Sequence, residues 1–269
     1  MGRLPWAMVP FLAAALAPAM TMADEPVDLE LVLAVDVSRS IDEDEAALQR
    51  EGYIRAFRDP QVIRAIEHGI LGRIAVTYIE WAGVGHWRPR TGWMLVDGAE
   101  SAAAFVAQLG ENPPTVALRT SISGAIEFSL RQFDGNGFEG TRRTIDISGD
   151  GPNNDGLLVT TARDAAIAAG VTINGLPIMD PGTGLYSWYN IPDLDLYYEN
   201  CVIAGPGAFI VTADGFANFA EAVRKKLILE IAGRAPADPP RLILAQSRTE
   251  ARVPPPCDIG EMLRSQQED

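Results

Sequence analysis

Histidine and cysteine are scarce in this 269-residue sequence, with two of each. With His68 and His86 the sole imidazoles and no G-x-S-x-G present, a serine-hydrolase triad has no support. Zinc is disfavoured for the same reason, because its protein sites are built from His and Cys. Basic residues are also few, 22 Lys and Arg against 36 Asp and Glu, which gives a formal net charge of −14. Nucleic acid and anionic membrane surfaces are therefore poor partners. No glycine-rich loop carries the lysine that a P-loop needs, and no internal repeat occurs. Asp36 is followed two residues later by Ser38 rather than a second Asp, which argues against a phosphotransferase of the haloacid-dehalogenase type. A long uninterrupted apolar run is missing too. Pro5, Pro10 and Pro18 break the N-terminal apolar stretch, so no stable membrane anchor is expected.

Residues 1–23 instead read as a secretory signal. Arg3 supplies a short positive region, an Ala/Leu/Met-rich stretch follows, and Thr21-Met22-Ala23 offers a small-residue cleavage site. Export to the periplasm or beyond the cell is the expectation. In an oxidising compartment the simplest use of Cys201 and Cys257 is one disulfide, with two free thiols as the alternative. Such a bond would tie the Pro-rich tail, 235–269, back to the body.

Between these ends, patterns of strand and helix alternate. DLELVLAV at 28–35 is strand-like, and the segment from Asp42 has helical spacing of Ala47, Tyr53, Ile54 and Phe57 with acids in its first turn. PQVIRAIEHG continues as a short helix, GRIAVTYIEWAG is a strand, and WRPRTGWMLV reads as a hairpin return whose Pro89 suits a sheet edge. Helices are expected in AESAAAFVAQLG, TSISGAIEFSLRQF and GLLVTTARDAAIAAG, and strands in RRTIDISGDG, VTINGLPI and GAFIVTA. The final amphipathic helix, FANFAEAVRKKLILEIAG, puts Phe216, Phe219, Val223, Leu227 and Ile231 on one face. This alternation predicts an α/β fold with a doubly wound, mostly parallel sheet and one antiparallel edge strand.

The first strand ends in DVSRS, where Asp36, Ser38 and Ser40 alternate and so point the same way from an extended loop. In such sheets ligands bind beyond the carboxyl ends of strands, where the winding changes direction. Three oxygen groups there suit a hard cation such as Mg²⁺, with Mn²⁺ or Ca²⁺ as alternatives. Thr120 opens a helix and Asp150 ends a strand on the same predicted edge, and both add oxygens. The plainer reading is that these residues cap helices and turn loops.

Taken together, DVSRS at 36–40, LRTSISGAI at 118–126 and IDISGDG at 145–151 resemble the von Willebrand factor type A (vWA) domain with its metal-ion-dependent adhesion site. The resemblance runs from about Asp28 to Gly233, extends to a secreted bacterial single-domain subfamily, and implies a Rossmann-like vWA domain over 24–234. It implies that Ser38 and Ser40 bind the ion directly, and that Asp36, Thr120 and Asp150 do so directly or through water. It leaves one position for the Asp or Glu carboxylate of a protein partner, and no catalytic residue.

The sequence departs from better-known members at 179–200, where a surface helix gives way to MDPGTGLYSWYNIPDLDLYYEN. Tyr186, Trp188 and Tyr189 from this segment, with His86 and Trp87 from the hairpin, are candidates for a recognition rim or, for the three from the insert, a lid over the core. The expected function is an exported, metal-dependent protein-binding domain rather than an enzyme. A structural envelope domain whose cation only stabilises the fold is the alternative, and a metal-dependent hydrolase comes third.

Overall fold

The computed structural model describes residues 23–38, 40–41, 43–111, 116–179, 191–233 and 252–268. Residues 1–22 of the expected signal, 234 at the end of the expected domain and 235–251 of the expected tail lie outside them.

Strand β1 (Glu25–Val27) leads into β2 (Leu29–Asp36), which is buried along its whole length. Helix α1 (Glu43–Arg58) has acids in its first turn and Arg55 and Arg58 in its last, as the helix dipole favours. Asp59 then ends one helix and starts the next. Its side chain accepts from Gln61 N at 2.7 Å, and Pro60 takes the first position of α2 (Pro60–Glu67). Strand β3 (Ile74–Trp81) is again buried throughout. The chain continues through β4 (Trp87–Pro89), β5 (Met94–Val96), α3 (Ala99–Gly110), α4 (Ile122–Gln132), β6 (Phe138–Gly140) and β7 (Arg143–Gly149). Then come α5 (Val159–Ala168), β8 (Thr172–Pro177) and α6 (Leu194–Tyr197), which runs into a π-helical turn at Tyr198–Val202. A 3₁₀ turn (Phe216–Asn218) starts α7 (Phe219–Ile231), and α8 (Ile259–Glu268) closes the described chain.

The main sheet has the order β4-β3-β2-β7-β8, with β5 also paired to β3. Strands β3, β2, β7 and β8 are parallel, and the antiparallel edge comes as two short pieces, β4 and β5. From β2 the chain winds first to β3 on one side and later to β7 on the other, so β2 sits at the switch point. Helices cover both faces. Tyr53, Phe57, Phe105, Phe219 and Leu227 pack on one, and Trp81, Ile126, Ile147, Tyr197 and Tyr198 on the other. Each such side chain contributes on the order of 2 kcal/mol by leaving water. The apolar face expected for FANFAEAVRKKLILEIAG, which forms the 3₁₀ turn and α7, is buried at all five positions, Phe216, Phe219, Val223, Leu227 and Ile231.

Three features differ from the sequence reading. GAFIVTA forms no continuous ladder with β8, only isolated bridges Gly175↔Ile210 and Ile178↔Ala213. One backbone donor of that segment, Phe209 N, is taken by the Asn174 side chain at 3.1 Å instead. Strand β1 pairs in parallel with β6 as a separate two-stranded ribbon. The tail holds helix α8. The expected disulfide between Cys201 and Cys257 is formed.

Candidate functional site

The register places Val35 beside Ser148, so β2 and β7 release Asp36 and Asp150 together at their carboxyl ends. Asp36 is fully buried and its position is fixed on two sides. Its Oδ1 accepts from Ser38 N at 2.7 Å, and its carbonyl accepts from the Gln49 side chain of α1 at 3.2 Å. Ser38 and Ser40 hydroxyls lie 3.1 Å apart, and Ser40 Oγ donates to Asp150 Oδ1 at 2.8 Å.

Thr120 arrives from a loop laid across the end of the sheet. Ala117 N donates to Val37 O at 3.0 Å, and Ser121 N to Ala82 O at 3.0 Å. Between them Arg119 adopts φ 70°, a left-handed conformation that L-residues other than glycine rarely take. Thr120 is locked to the loop after Asp150 by a reciprocal pair, Thr120 N to Asn154 Oδ1 at 2.9 Å and Asn154 N to Thr120 O at 2.8 Å. All five predicted residues therefore converge on one edge of the sheet.

Burial, and next the neighbouring Asp150 charge, push the Asp36 carboxyl well above the usual carboxylate range, against the hydrogen bonds from Ser38. Its Oδ2 is buried without a hydrogen-bond partner among the described residues. No group of three or more His, Cys, Asp or Glu side chains placed to hold a metal occurs among those residues. A cation here would rest on two carboxylates, three hydroxyls and water. That donor set is all oxygen, and a free buried carboxylate oxygen is what a hard cation would satisfy, so the residues fit Mg²⁺.

The rim residues are distributed unevenly. Tyr186, Trp188 and Tyr189 lie outside the described residues. Trp87 is half-buried and stacks on Phe128 of α4, with ring centroids 5.7 Å apart. His86 is partly exposed in the turn before β4, and burial followed by the Arg88 charge lowers its pKa. Around the same edge, loop residues Val84, Leu118, Leu157 and Leu158 are exposed apolar side chains.

Other participants were not foreseen. Tyr198, in the π-helical turn, is fully buried, and its hydroxyl is without a hydrogen-bond partner among the described residues. Burial, then the charges of Asp36 and Asp150, raise its pKa well above the ordinary phenol value. Helix α8 reaches the loop that follows Asp150. Asn153 donates to Glu261 at 2.6 Å, and Arg264 donates to Asn154 O and Asp155, each at 3.0 Å. The signal available in the sequence was the Tyr-rich composition of 179–200, which says nothing of which ring turns inward.

Among solved structures, the fold matches the pilus adhesin SpaC from Lactobacillus rhamnosus GG in an open conformation. The match has 15% identity and TM-score 0.53, and covers 77% of this chain and 30% of that one. A von Willebrand factor type A protein from Catenulispora acidiphila matches at 14% identity and TM-score 0.51, over 76% of this chain and 43% of that one. Proximal thread matrix protein 1 from the mussel byssus, in a structure with a zinc-occupied MIDAS motif, matches at 14% identity and TM-score 0.50, over 78% and 47%. At these identities the likeness shows the fold alone, and the chain spans less than half the length of each. No curated protein matches the sequence. The model of the family described as "Protein of unknown function (DUF1194)" matches residues 26–235.

Proposed function

The chain belongs to the DUF1194 family, and we propose that it is an exported, divalent-metal-dependent protein-binding domain of the adhesion type. The observation that carries this reading is the convergence of Asp36, Ser38, Ser40, Thr120 and Asp150, with one buried oxygen of Asp36 unsatisfied. These five residues would hold Mg²⁺, with Mn²⁺ or Ca²⁺ as substitutes. When bound, the cation supplies the positive charge that a partner's Asp or Glu carboxylate needs at an otherwise negative edge.

The chain's own residues do the remaining work. Ser38 N orients Asp36, Ser40 links the first loop to Asp150, and the Thr120–Asn154 pair holds the third loop in place. Exposed Val84, Leu118, Leu157 and Leu158 offer apolar contact around a docked side chain. The likeness in fold to a pilus adhesin and a byssus matrix protein supports binding rather than catalysis. The disulfide supports export to an oxidising compartment, periplasmic or extracellular. No helix among the described residues is long and apolar enough to cross a membrane.

Calorimetric titration with MgCl₂, followed by capture of envelope proteins with Mg²⁺ or with chelator, tests the reading. Heat of binding and chelator-sensitive capture are expected. Absence of Mg²⁺ binding defeats the metal site. Partners retained equally in chelator leave the cation a role in the fold alone.

A further inference from the structure

The space beneath Asp36 is shaped by a residue with no side chain. A Cβ on Gly149, the last residue of β7, would lie 2.9 Å from Asp36 Oδ2 and 2.9 Å from the Tyr198 hydroxyl. The two oxygens therefore flank the same bare stretch of backbone, at most twice that distance apart. The two oxygens do not bond each other directly, and that span admits a bridge through a single water. Both atoms are buried, and both lack a partner among the described residues. One belongs to a phenol, a donor, and the other to a carboxylate, an acceptor.

The segment that delivers Tyr198 is built for close approach. Its π-helical turn departs from regular helix geometry, a feature frequent at functional sites. A Cβ on Gly175 of β8 would lie 2.7 Å from Tyr198 Cδ1, so a second bare position lets the ring approach the sheet closely. Three residues further on, Cys201 anchors the turn through its disulfide to Cys257.

We propose that Tyr198 is a sixth residue of the candidate metal site, a positioning residue whose hydroxyl donates towards the free oxygen of Asp36 and fixes the direction of that carboxylate. The inference rests on the metal reading above and adds to it a residue from outside the three motifs. Asp36 Oδ1 is already committed to Ser38 N, so the setting of Oδ2 decides how the carboxylate faces an ion. Groups that hold a ligand from behind typically change metal affinity by about ten- to a hundred-fold when removed.

The test uses the full chain with MgCl₂ as the probe, in wild type, Tyr198→Phe, Gly149→Ala and Asp150→Asn, together with urea unfolding in EDTA. Tyr198→Phe is expected to keep the wild-type urea midpoint in EDTA while binding Mg²⁺ about ten-fold or more weakly. A structural role alone would shift the midpoint and leave the affinity untouched. Gly149→Ala, which thrusts a methyl between the two oxygens, is expected to weaken Mg²⁺ binding as well, and serves if Tyr198→Phe does not fold. Mg²⁺ affinity unchanged in Tyr198→Phe, with binding lost in Asp150→Asn, overturns the inference and leaves the metal reading standing. If wild type binds no Mg²⁺, the metal reading fails, and a cycle of Tyr198→Phe with Asp36→Asn in EDTA decides the contact. Additive urea midpoints then overturn it, and coupled midpoints sustain it.

Discussion

Lys226 Nζ of α7 lies 2.6 Å from Asp146 Oδ1 of β7, and both side chains are buried. The same ammonium also pairs with Glu230, whose Oε1 accepts from Asn174 at 2.9 Å. Beyond Asp146 the same strand leads to Asp150, so helix α7 is bolted through a buried ion cluster to the strand that leads to one of the site's two carboxylates.

Removing the cation from this cluster leaves two carboxylates facing each other in the core. Lys226→Met should therefore destabilise the protein by about 3–5 kcal/mol near neutral pH, and Asp146→Asn by much less, because it leaves the Lys226–Glu230 pair intact. Urea unfolding measures both. Equal losses in the two variants would show that the charges are screened rather than buried.

The same cluster predicts a pH dependence. Burial first, then the Glu230 charge, push the Asp146 carboxyl up to about 7, against the attraction of Lys226. An unfolded Asp titrates at about 3.9, so between about 4 and 7 the folded chain holds the extra proton. The stability this group contributes is complete below about 4 and is lost as pH rises to about 7. Melting temperature should fall less steeply over that window in Asp146→Asn than in wild type. Parallel curves would mean that Asp146 is ionised throughout.

At the metal site, Asp150→Asn and Ser40→Ala should abolish or greatly weaken stabilisation by Mg²⁺. In wild type, an ion at a hundred times its dissociation constant adds about 2.7 kcal/mol. Without ion, Asp150→Asn should melt no lower than wild type, because a charge that acts on buried Asp36 is gone. Scanning calorimetry with and without Mg²⁺ reads both effects. An undiminished Mg²⁺ shift in both variants would remove these residues from the site.

The disulfide spans 56 residues, a loop for which chain entropy suggests about 4 kcal/mol as an upper figure. Reduction should lower the melting temperature and expose α8 to protease. The docking contacts of Glu261 and Arg264 offset part of the loss. A tail that stays protease-resistant after reduction would show that those contacts suffice.

What the sequence determined by itself was local or periodic. DVSRS was legible because its key contact, Ser38 N to Asp36 Oδ1, spans two residues, and because an alternating motif at a strand end points its oxygens one way. The apolar face of α7 was legible because helical periodicity reports it. Thr120 and Asp150 lie at the same sheet edge as Asp36, as the parallel topology implied by the strand–helix alternation requires. Tertiary structure alone decided the rest. Lys226 occupies a position that by composition belongs on a solvated face, and its burial follows from carboxylates that different elements bring to it. Tyr198 was one aromatic among several in 179–200, and its inward turn depends on Gly149 and Gly175, bare positions on two strands that meet it only after the sheet forms. Helix α8 likewise exists where the disulfide and the Asn153–Asp155 loop receive it. Charge burial and ring packing are settled by partners distant in sequence, and no local pattern encodes where those partners will stand.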